Sequence, residues 1–233
     1  MKERGGLGPA LRRRLGILVV PAAGARPART ESLLMNPTRL KVFQAVYNLP
    51  CSNMRGLSRK VGVAPPSMRW HLGKLAEGGL VRTTDQDGRR LFYASGAIED
   101  EDVGILTFLA PKNRREAVRA VCQDPGVTQS RLLRASGCNG HTVRALAARG
   151  ILQVVRDGRH KRYYPGEELA RRMREYEGRA PRSRQLLLSA LAREGIQPES
   201  SDPGRGFWEI RVRAGDSAET LRFRRNPFDL SRW

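Results

Sequence analysis

The same pattern of glycine and apolar residues occurs twice in this chain of 233 residues. The matching positions lie 70 or 71 residues apart: Gly79-Leu80-Val81 with Gly150-Ile151-Leu152, Gly88 with Gly158, and Tyr93 with Tyr163. Turn residues and apolar positions that recur at one offset indicate two copies of one supersecondary unit. We therefore expect two small domains of the same plan, which the length of the chain allows.

Three short helices are predicted in the first copy. Asn36 and Pro37 have the residue types of a helix start, and the helix carries an apolar stripe at Leu40, Phe43, Val46 and Tyr47. The second helix ends at Gly62 and buries Met54, Leu57 and Val61. The third starts near Pro65, stops at Gly78 and buries Met68, Leu72, Leu75 and Ala76. A tight turn between the last two helices is typical of a helix-turn-helix.

A β-hairpin is predicted directly after the third helix. Residues 80–84 and the segment Leu91-Phe92-Tyr93 have the pattern of two strands. Between them, Asp87-Gly88 supplies the positive backbone angles that a tight hairpin turn requires. A hairpin in this place is the wing of a winged helix-turn-helix domain.

The second copy has the same order with a shorter third helix. Its first helix carries an apolar stripe of Ala117, Val118, Val121 and Cys122. Thr128 is expected to cap the second helix, which buries Leu132 and Leu133, and Asn139 is expected to start the third helix. Gly137 and Gly150 are 13 residues apart, whereas Gly62 and Gly79 are 17 apart. The difference is close to one helical turn, so the buried stripe keeps its phase.

Positive charge is concentrated in the two copies. The chain has 43 Lys and Arg against 23 Asp and Glu, a net charge of +20. Residues 35–98 contain ten basic and three acidic side chains, residues 111–165 contain twelve and three, and the acidic run of residues 99–102 lies between them. This imbalance favours a polyanionic partner, either nucleic acid or an acidic membrane surface. Codon bias toward arginine exchanges Lys for Arg and does not create net charge.

The sequence has no pattern for a metal site or a membrane span. Cys51, Cys122 and Cys138 lack the Cys-x-x-Cys or Cys/His clustering of zinc sites, so we expect no metal, no cofactor and a reducing compartment. The apolar run of residues 15–20 stops at Pro21, far short of the roughly 18 residues that span a bilayer. The expected location is the cytoplasm, in association with the chromosome and without a membrane partner.

Five segments are predicted: a disordered basic segment over residues 1–34, a first winged helix-turn-helix over 35–98, an acidic linker over 99–110, a second winged helix-turn-helix over 111–165, and a tail over 166–233. The tail is expected to contain helices over residues 166–177 and 181–195, a polar break over 197–206, and a hairpin in which Trp208, Ile210, Val212, Leu221 and Phe223 share one face. Capping of the second unit, homodimerisation and effector binding are open roles for it. The predicted fold class is α+β, mainly α with small β-hairpin wings.

One segment carries a family resemblance. Residues 71–81, His-Leu-Gly-Lys-Leu-Ala-Glu-Gly-Gly-Leu-Val, resemble the end of the recognition helix in arsenical-resistance-type (ArsR-like) winged-helix repressors, and residues 87–93 resemble their wing. The resemblance covers residues 36–95 well and 113–165 more loosely, and two units in one chain resemble the tandem winged-helix regulators common in archaea. It implies double-stranded DNA as the partner and gene regulation as the function. Those repressors often sense metal through a cysteine pair on the recognition helix; residues 64–77 contain no cysteine, so metal sensing is not carried over.

The candidate DNA-binding residues lie on the third helices and the wings. In a winged helix the third helix enters the major groove, and its outer face here carries Ser67, Arg69, Trp70 and Lys74 in the first unit and Asn139, His141, Thr142 and Arg144 in the second. The wings carry Arg89 and Arg90 in the first unit and Arg159, His160, Lys161 and Arg162 in the second, which suits phosphate contacts. Ordinary solvated surfaces are the alternative for all of these residues, and Trp70 can equally contact the other unit.

These patterns predict a sequence-specific DNA-binding transcription regulator without catalytic residues. The first alternative is an architectural or RNA-binding protein that uses the same basic faces without sequence readout. The second, less supported, is a nucleic-acid-processing enzyme, because acidic residues are sparse in both units and form no metal-binding cluster.

Overall fold

The first repeat forms three helices and a small sheet in the computed structural model, which describes residues 32–86, 88–203, 206–214 and 217–229. Its elements are, in chain order, Pro37–Asn48 (α1), Ser52–Asn53 (β1), Met54–Val61 (α2), Pro65–Glu77 (α3), Val81–Gln86 (β2) and Arg89–Ala94 (β3). The sheet order is β1-β3-β2, and both neighbours run antiparallel to β3. The predicted helices and hairpin are confirmed; Asp87, in the predicted turn, lies outside the described residues.

Local capping sets the helix boundaries. Asn36 Oδ1 accepts a hydrogen bond from the Arg39 amide at 3.0 Å, and Asn53 Oδ1 accepts one from the Gly56 amide at 2.8 Å. α2 ends at Gly62, whose φ of +76° is a left-handed conformation that costs glycine little. The predicted starts of α1 and α3 and the predicted end of α2 are confirmed.

The segment between the repeats is folded. Asp100–Asp102 forms a 3-10 turn and Val103–Leu109 forms a helix (α4). Val103, Leu106 and Leu109 are buried in the core of the second repeat. The helical part of the expected acidic linker therefore packs into that core, because three apolar residues directly after the acidic run anchor it, whereas Glu99, Asp100 and Glu101 are exposed.

The second repeat has the same element and sheet order as the first. Its elements are Lys112–Gln123 (α5), Val127–Thr128 (β4), Gln129–Ser136 (α6), Gly140–Ala148 (α7), Leu152–Asp157 (β5) and His160–Pro165 (β6), with the sheet order β4-β6-β5. α7 has 9 residues against 13 in α3, so the predicted shortening falls in the third helix. Thr128 occupies the N-cap position of α6, but its side chain does not make the capping bond. Gly88 and Gly158 have φ values of +69° and +57°, as hairpin turns of this kind require.

A single helix of 27 residues, Glu167–Arg193 (α8), contributes to both repeats. Leu169 and Tyr176 in its first half lie in the core of the second repeat, and Leu187 and Leu191 in its second half lie in the core of the first. The prediction of two separate helices is wrong. Pro181 removes one backbone donor inside the helix, but apolar burial on both sides of it keeps the helix continuous.

A third sheet covers the first repeat. Its strands are Pro198–Pro203 (β7), Phe207–Ala214 (β8) and Ser217–Arg224 (β9), in the antiparallel order β7-β8-β9. The predicted alternation in β8 and β9 is confirmed, because Trp208, Ile210, Val212, Leu221 and Phe223 are all buried in the first core. The ring centroid of Phe223 lies 6.1 Å from that of Phe43 and 5.2 Å from that of Tyr47, both on α1.

This placement of the sheet differs from two expectations. The predicted polar break over residues 197–206 contains strand β7. The apolar face of the sheet caps the first repeat and not the second, while Phe228 beyond it packs into the second core. Because the chain itself covers this face, homodimerisation through it is not supported.

The packed structure includes residues that precede Met35. Leu34 is 1% exposed and lies in the first core, and the Leu33 amide donates a hydrogen bond to Glu194 Oε2 at 2.7 Å. The expected boundary at Met35 is therefore too late. Residues 1–31, the rest of the segment predicted to be disordered, lie outside the described residues.

Two apolar cores hold the described elements together. The first core contains residues of α1 to α3, the hairpin β2–β3, the second half of α8 and strands β8 and β9. The second contains residues of α4 to α7, the hairpin β5–β6, the first half of α8 and Phe228, together with Cys51, Tyr93 and Ile98 from the end of the first repeat. The architecture is α+β with small antiparallel sheets. Over the described ranges, no helix is both long and apolar enough to cross a membrane.

Candidate nucleic-acid interface

An open groove of about 720 Å³ lies between α2, α3 and the hairpin β2–β3. The basic side chains that line it come from all three elements: Arg55, Arg59, Arg69, Arg89 and Arg90. Asp85 is the one acidic residue in the described lining. The groove is therefore strongly positive, and its charge suits a polyanionic backbone.

The local sequence explains why the arginines of α2 share this groove. Leu57 and Ser58 are buried, whereas Arg55 and Arg59 are exposed. Residues four positions apart lie on the same helix face, so both guanidinium groups project to the side opposite the core.

The hairpin supplies the other side of the groove. Leu91 to Ala94 are buried along β3, and Arg89 and Arg90 remain exposed at its start, next to the turn. Arg90 Nε lies 3.5 Å from Asp85 Oδ1, but both side chains are about two-thirds exposed, so solvent screens the pair. The positive charge of both arginines stays available to a ligand.

The outer face of α3 carries the four predicted residues. Ser67, Arg69 and Trp70 are exposed, and Lys74 is half-exposed. Lys74 Nζ donates to Glu77 Oε2 at 2.9 Å, an exposed pair that an anionic ligand can displace. Only Arg69 of the four lines the groove. The other three lie on the same helix outside it.

Trp70 has an unusual environment for an exposed aromatic residue. Its side chain is 53% exposed, and the Cζ atom of Arg39 on α1 lies 5.0 Å from its ring centroid. The neighbouring His71 is buried and meets the indole edge-on, with 5.0 Å between ring centroids. Burial lowers the pKa of His71, and the positive charge of Arg39 lowers it further. His71 is therefore a neutral packing residue near neutral pH.

A smaller groove of about 430 Å³ lies in the equivalent place in the second repeat. The start of α6 and the hairpin β5–β6 line it, with Thr128, Gln129, Ser130, Leu133, Arg159, His160 and Lys161. The structure thus brings together three of the four predicted hairpin residues. This smaller groove is basic on the hairpin side and neutral on the helix side.

Arg162, the fourth predicted hairpin residue, is engaged within the protein. Its Nε donates to Asp157 Oδ2 at 3.0 Å, and its Nη1 donates to the carbonyl oxygen of Gly126 at 3.3 Å. These bonds join the hairpin to the turn before β4. Arg162 is half-buried and lies outside the groove lining.

The start of α7 combines capped and exposed residues. Asn139 Oδ1 accepts hydrogen bonds from the Thr142 amide at 2.9 Å and from Thr142 Oγ1 at 3.0 Å. These bonds cap the helix and occupy the acceptor that an asparagine uses on adenine. His141 and Arg144 are exposed on the same turns. Neither groove lining includes these four residues.

Several groove residues were not among the predicted binding residues, and four of these lie on second helices. Arg55 and Arg59 in the first groove, and Gln129 and Ser130 in the second, all belong to the second helix of their repeat. The spacing of Arg55 and Arg59 around the buried Leu57 is a signal that the sequence contains. Their position opposite a hairpin depends on the tertiary structure.

The comparisons with known proteins give one distant relative of stated type. No family model matches the chain. Over 143 residues the chain is 23% identical to a protein of Methanocaldococcus jannaschii described as an uncharacterized HTH-type transcriptional regulator. The match covers 60% of this chain and 36% of the relative, so the chain spans about a third of that relative's length.

Two solved structures share weaker likeness. ScpB from Mycobacterium tuberculosis has a TM-score of 0.25 and 13% identity over 59% of this chain and 95% of that chain. The DIP2311 protein from Corynebacterium diphtheriae has a TM-score of 0.21 and 15% identity over 55% of this chain and 26% of that chain. At these TM-scores neither likeness supports a conclusion about fold or function.

Proposed function

We propose that the protein is a transcription regulator that binds double-stranded DNA sequence-specifically through two winged helix-turn-helix units. α2, α3 and the hairpin β2–β3 provide the first unit, and α6, α7 and the hairpin β5–β6 provide the second. The observation that carries this proposal is that a groove lies in the same place in each repeat, with basic hairpin residues on one side of both. The distant relative described as an HTH-type regulator supports the same class.

The two parts of each unit have different chemistry. Arg69 on α3 and Arg144 on α7 are exposed on third helices, where an arginine can donate two hydrogen bonds to a guanine. Arg89, Arg90, Arg159 and Lys161 are exposed on the hairpins, where they suit phosphates. We therefore assign base reading to the helices and sequence-independent affinity to the wings.

Both units are proposed to bind one DNA molecule. α8 enters both cores and is about 40 Å long, and α4 is packed into the second core. Two binding surfaces in one folded body gain from effective concentration when the sites on the DNA are correctly spaced. The acidic residues 99–102 disfavour phosphate contact between them.

The test is selection followed by competition. Duplexes are selected from a random pool by the full chain, and the affinity for the selected duplex is compared with that for a scrambled duplex of the same composition at several salt concentrations. We expect the selected duplex to bind at least about 10³-fold more tightly, as specific regulators do. The variant Arg182→Ala, which removes an exposed charge of α8 outside both grooves, serves as the charge-matched control.

Each competing function predicts a different result. Equal affinity for selected and scrambled duplexes would indicate an architectural protein, and tighter binding to RNA of the same sequence would indicate an RNA-binding protein. Cleavage or modification of the bound strands would indicate an enzyme. Any of these results contradicts the proposal.

A further inference from the structure

Trp70 is the one exposed aromatic among the large apolar side chains that the described residues leave exposed. It lies on the outer face of α3, opposite the buried Met68, Leu72 and Leu75. Its side chain belongs to neither core. A single exposed apolar residue is normal on a folded surface, but indole is enriched as an anchor where proteins contact other molecules.

The guanidinium group of Arg39 packs against the indole ring of Trp70. Arg39 is 7% exposed, its Cζ lies 5.0 Å from the indole centroid, and its Nη1 donates to the carbonyl oxygen of Leu33 at 3.1 Å. Over the described ranges, Arg39 has no ion-pair partner, so its charge is free to attract the face of the ring. His71 restricts the ring from the side. The indole is therefore preorganised, with its remaining surface directed outward.

We infer that Trp70 contacts the C5-methyl group of a thymine in the major groove and that Arg39 is the positioning residue for this contact, an inference that rests on the proposed function. The adjacent Arg69 lines the groove between α2, α3 and the hairpin β2–β3, so a partner that covers Trp70 also faces the positive charge of that groove. Duplex DNA offers both complements, phosphates for the arginines and, on thymine, an apolar group at the base edge. Hydrogen-bonding groups dominate the other base edges in the major groove, and they do not suit an apolar ring.

The experiment uses the full chain and the duplex selected above. Thymines are replaced one at a time by deoxyuridine, which lacks only the methyl group. We expect the wild type to lose about fourfold in affinity at one or two positions, the fold-change that corresponds to one buried methyl group. Trp70→Ala should bind the thymine and deoxyuridine duplexes equally at those positions. Arg69→Ala, the neighbouring control, should bind more weakly but keep the methyl effect.

Arg39 is tested by its effect on Trp70. Arg39→Met preserves the length of the side chain and removes its charge, and Arg39→Lys preserves the charge and removes the planar group. Both variants should reduce the methyl effect, and neither should change the slope of affinity against salt, because Arg39 contacts no phosphate in this arrangement. Thermal unfolding of each variant separates this positioning role from loss of the fold, since only folded variants are compared.

The outcomes separate the inference from the proposed function. If the wild type prefers the selected duplex but shows no methyl effect, or if Trp70→Ala retains it, the inference is wrong and the proposed function stands. A methyl effect that survives in folded Arg39→Met and Arg39→Lys overturns the role of Arg39. If Trp70→Ala instead abolishes self-association or binding of another protein while DNA binding is unchanged, Trp70 serves a protein partner and the inference is overturned. Absence of any duplex preference overturns both.

Discussion

The phenol of Tyr176 on α8 donates a hydrogen bond to Oδ2 of Asp102 at 2.6 Å. Asp102 is 2% exposed and also pairs with the guanidinium of Arg172, one turn before Tyr176. The Glu99 amide donates to the Tyr176 hydroxyl oxygen at 3.0 Å. Burial raises the pKa of Tyr176 to about 12, so the phenol remains a donor at neutral pH. This network ties the segment between the repeats to the helix that both cores share.

Tyr176→Phe should destabilise the fold while leaving the ring in place. The buried carboxylate of Asp102 loses one donor, which costs about 1.5–3 kcal/mol for a hydrogen bond to a charged group. The free energy of unfolding, measured by urea titration, checks this value. Tyr164→Phe is the matched control, because its hydroxyl makes no hydrogen bond within the described part of the chain, and it should change stability by much less. Equal effects of the two variants would show that the network contributes little.

Phe223→Ala should destabilise the first repeat strongly although it lies more than 120 residues beyond it in sequence. The ring packs against Phe43 and Tyr47 and is fully buried, and removal of such a ring costs about 3–5 kcal/mol. Hydrogen exchange should show faster opening of α1 in the variant. Phe207→Ala, a half-exposed ring one strand away, is the control and should leave the exchange of α1 unchanged. Protection of α1 that is unaffected by Phe223→Ala would mean that the sheet is not part of this core.

Replacement of a helix arginine should lower specificity. Arg69→Ala or Arg144→Ala should cost about 1–3 kcal/mol on the selected duplex and little on random duplex, because the bidentate contact to a guanine is lost. Titration of each variant on both duplexes measures the two effects. Equal losses on both duplexes would assign these arginines to phosphates.

Replacement of a hairpin cation should lower affinity and keep specificity. Arg89→Ala, Arg90→Ala, Arg159→Ala or Lys161→Ala should weaken binding to every duplex alike and make the salt slope shallower by about one, since one fewer phosphate is neutralised. Titrations at several salt concentrations measure the slope, and Arg182→Ala should not change it. A hairpin variant with an unchanged slope contradicts the assigned role of the wings.

Stability should fall with acidification partly because of His71. Its pKa is lowered in the folded state by burial and by Arg39, so the unfolded chain binds more protons at pH values between the folded pKa and about 6.5. The contribution of His71 is complete above the unfolded pKa and is lost as pH falls through the folded pKa. His71→Gln should flatten the pH dependence of the unfolding free energy below about pH 6.5. A steeper dependence in His71→Gln would reverse the assigned sign.

The success of sequence-based prediction differs between elements for a physical reason. Asn36, Asn53 and Gly62 form hydrogen bonds with backbone groups three or four residues away. The ends of α1 and α2 that they set therefore depend on local sequence alone. Asn139 was predicted as a helix start, which is confirmed, but its bonds to Thr142 restrict its predicted role in base reading. The break predicted near Pro181 is absent because contacts with two distant cores outweigh one missing backbone bond.

The sequence by itself determined the two repeats, the helix caps at Asn36 and Asn139, the hairpin turns and the concentration of positive charge, since each depends on neighbouring residues or on composition. Only the tertiary structure decided that β8 and β9 cover the first repeat, that α8 enters both cores, and that Arg55 and Arg59 face a hairpin. An alternating strand shows that one face is buried, but it does not show against what, because apolar surface has no preferred partner until shapes and chain connections are fixed in three dimensions.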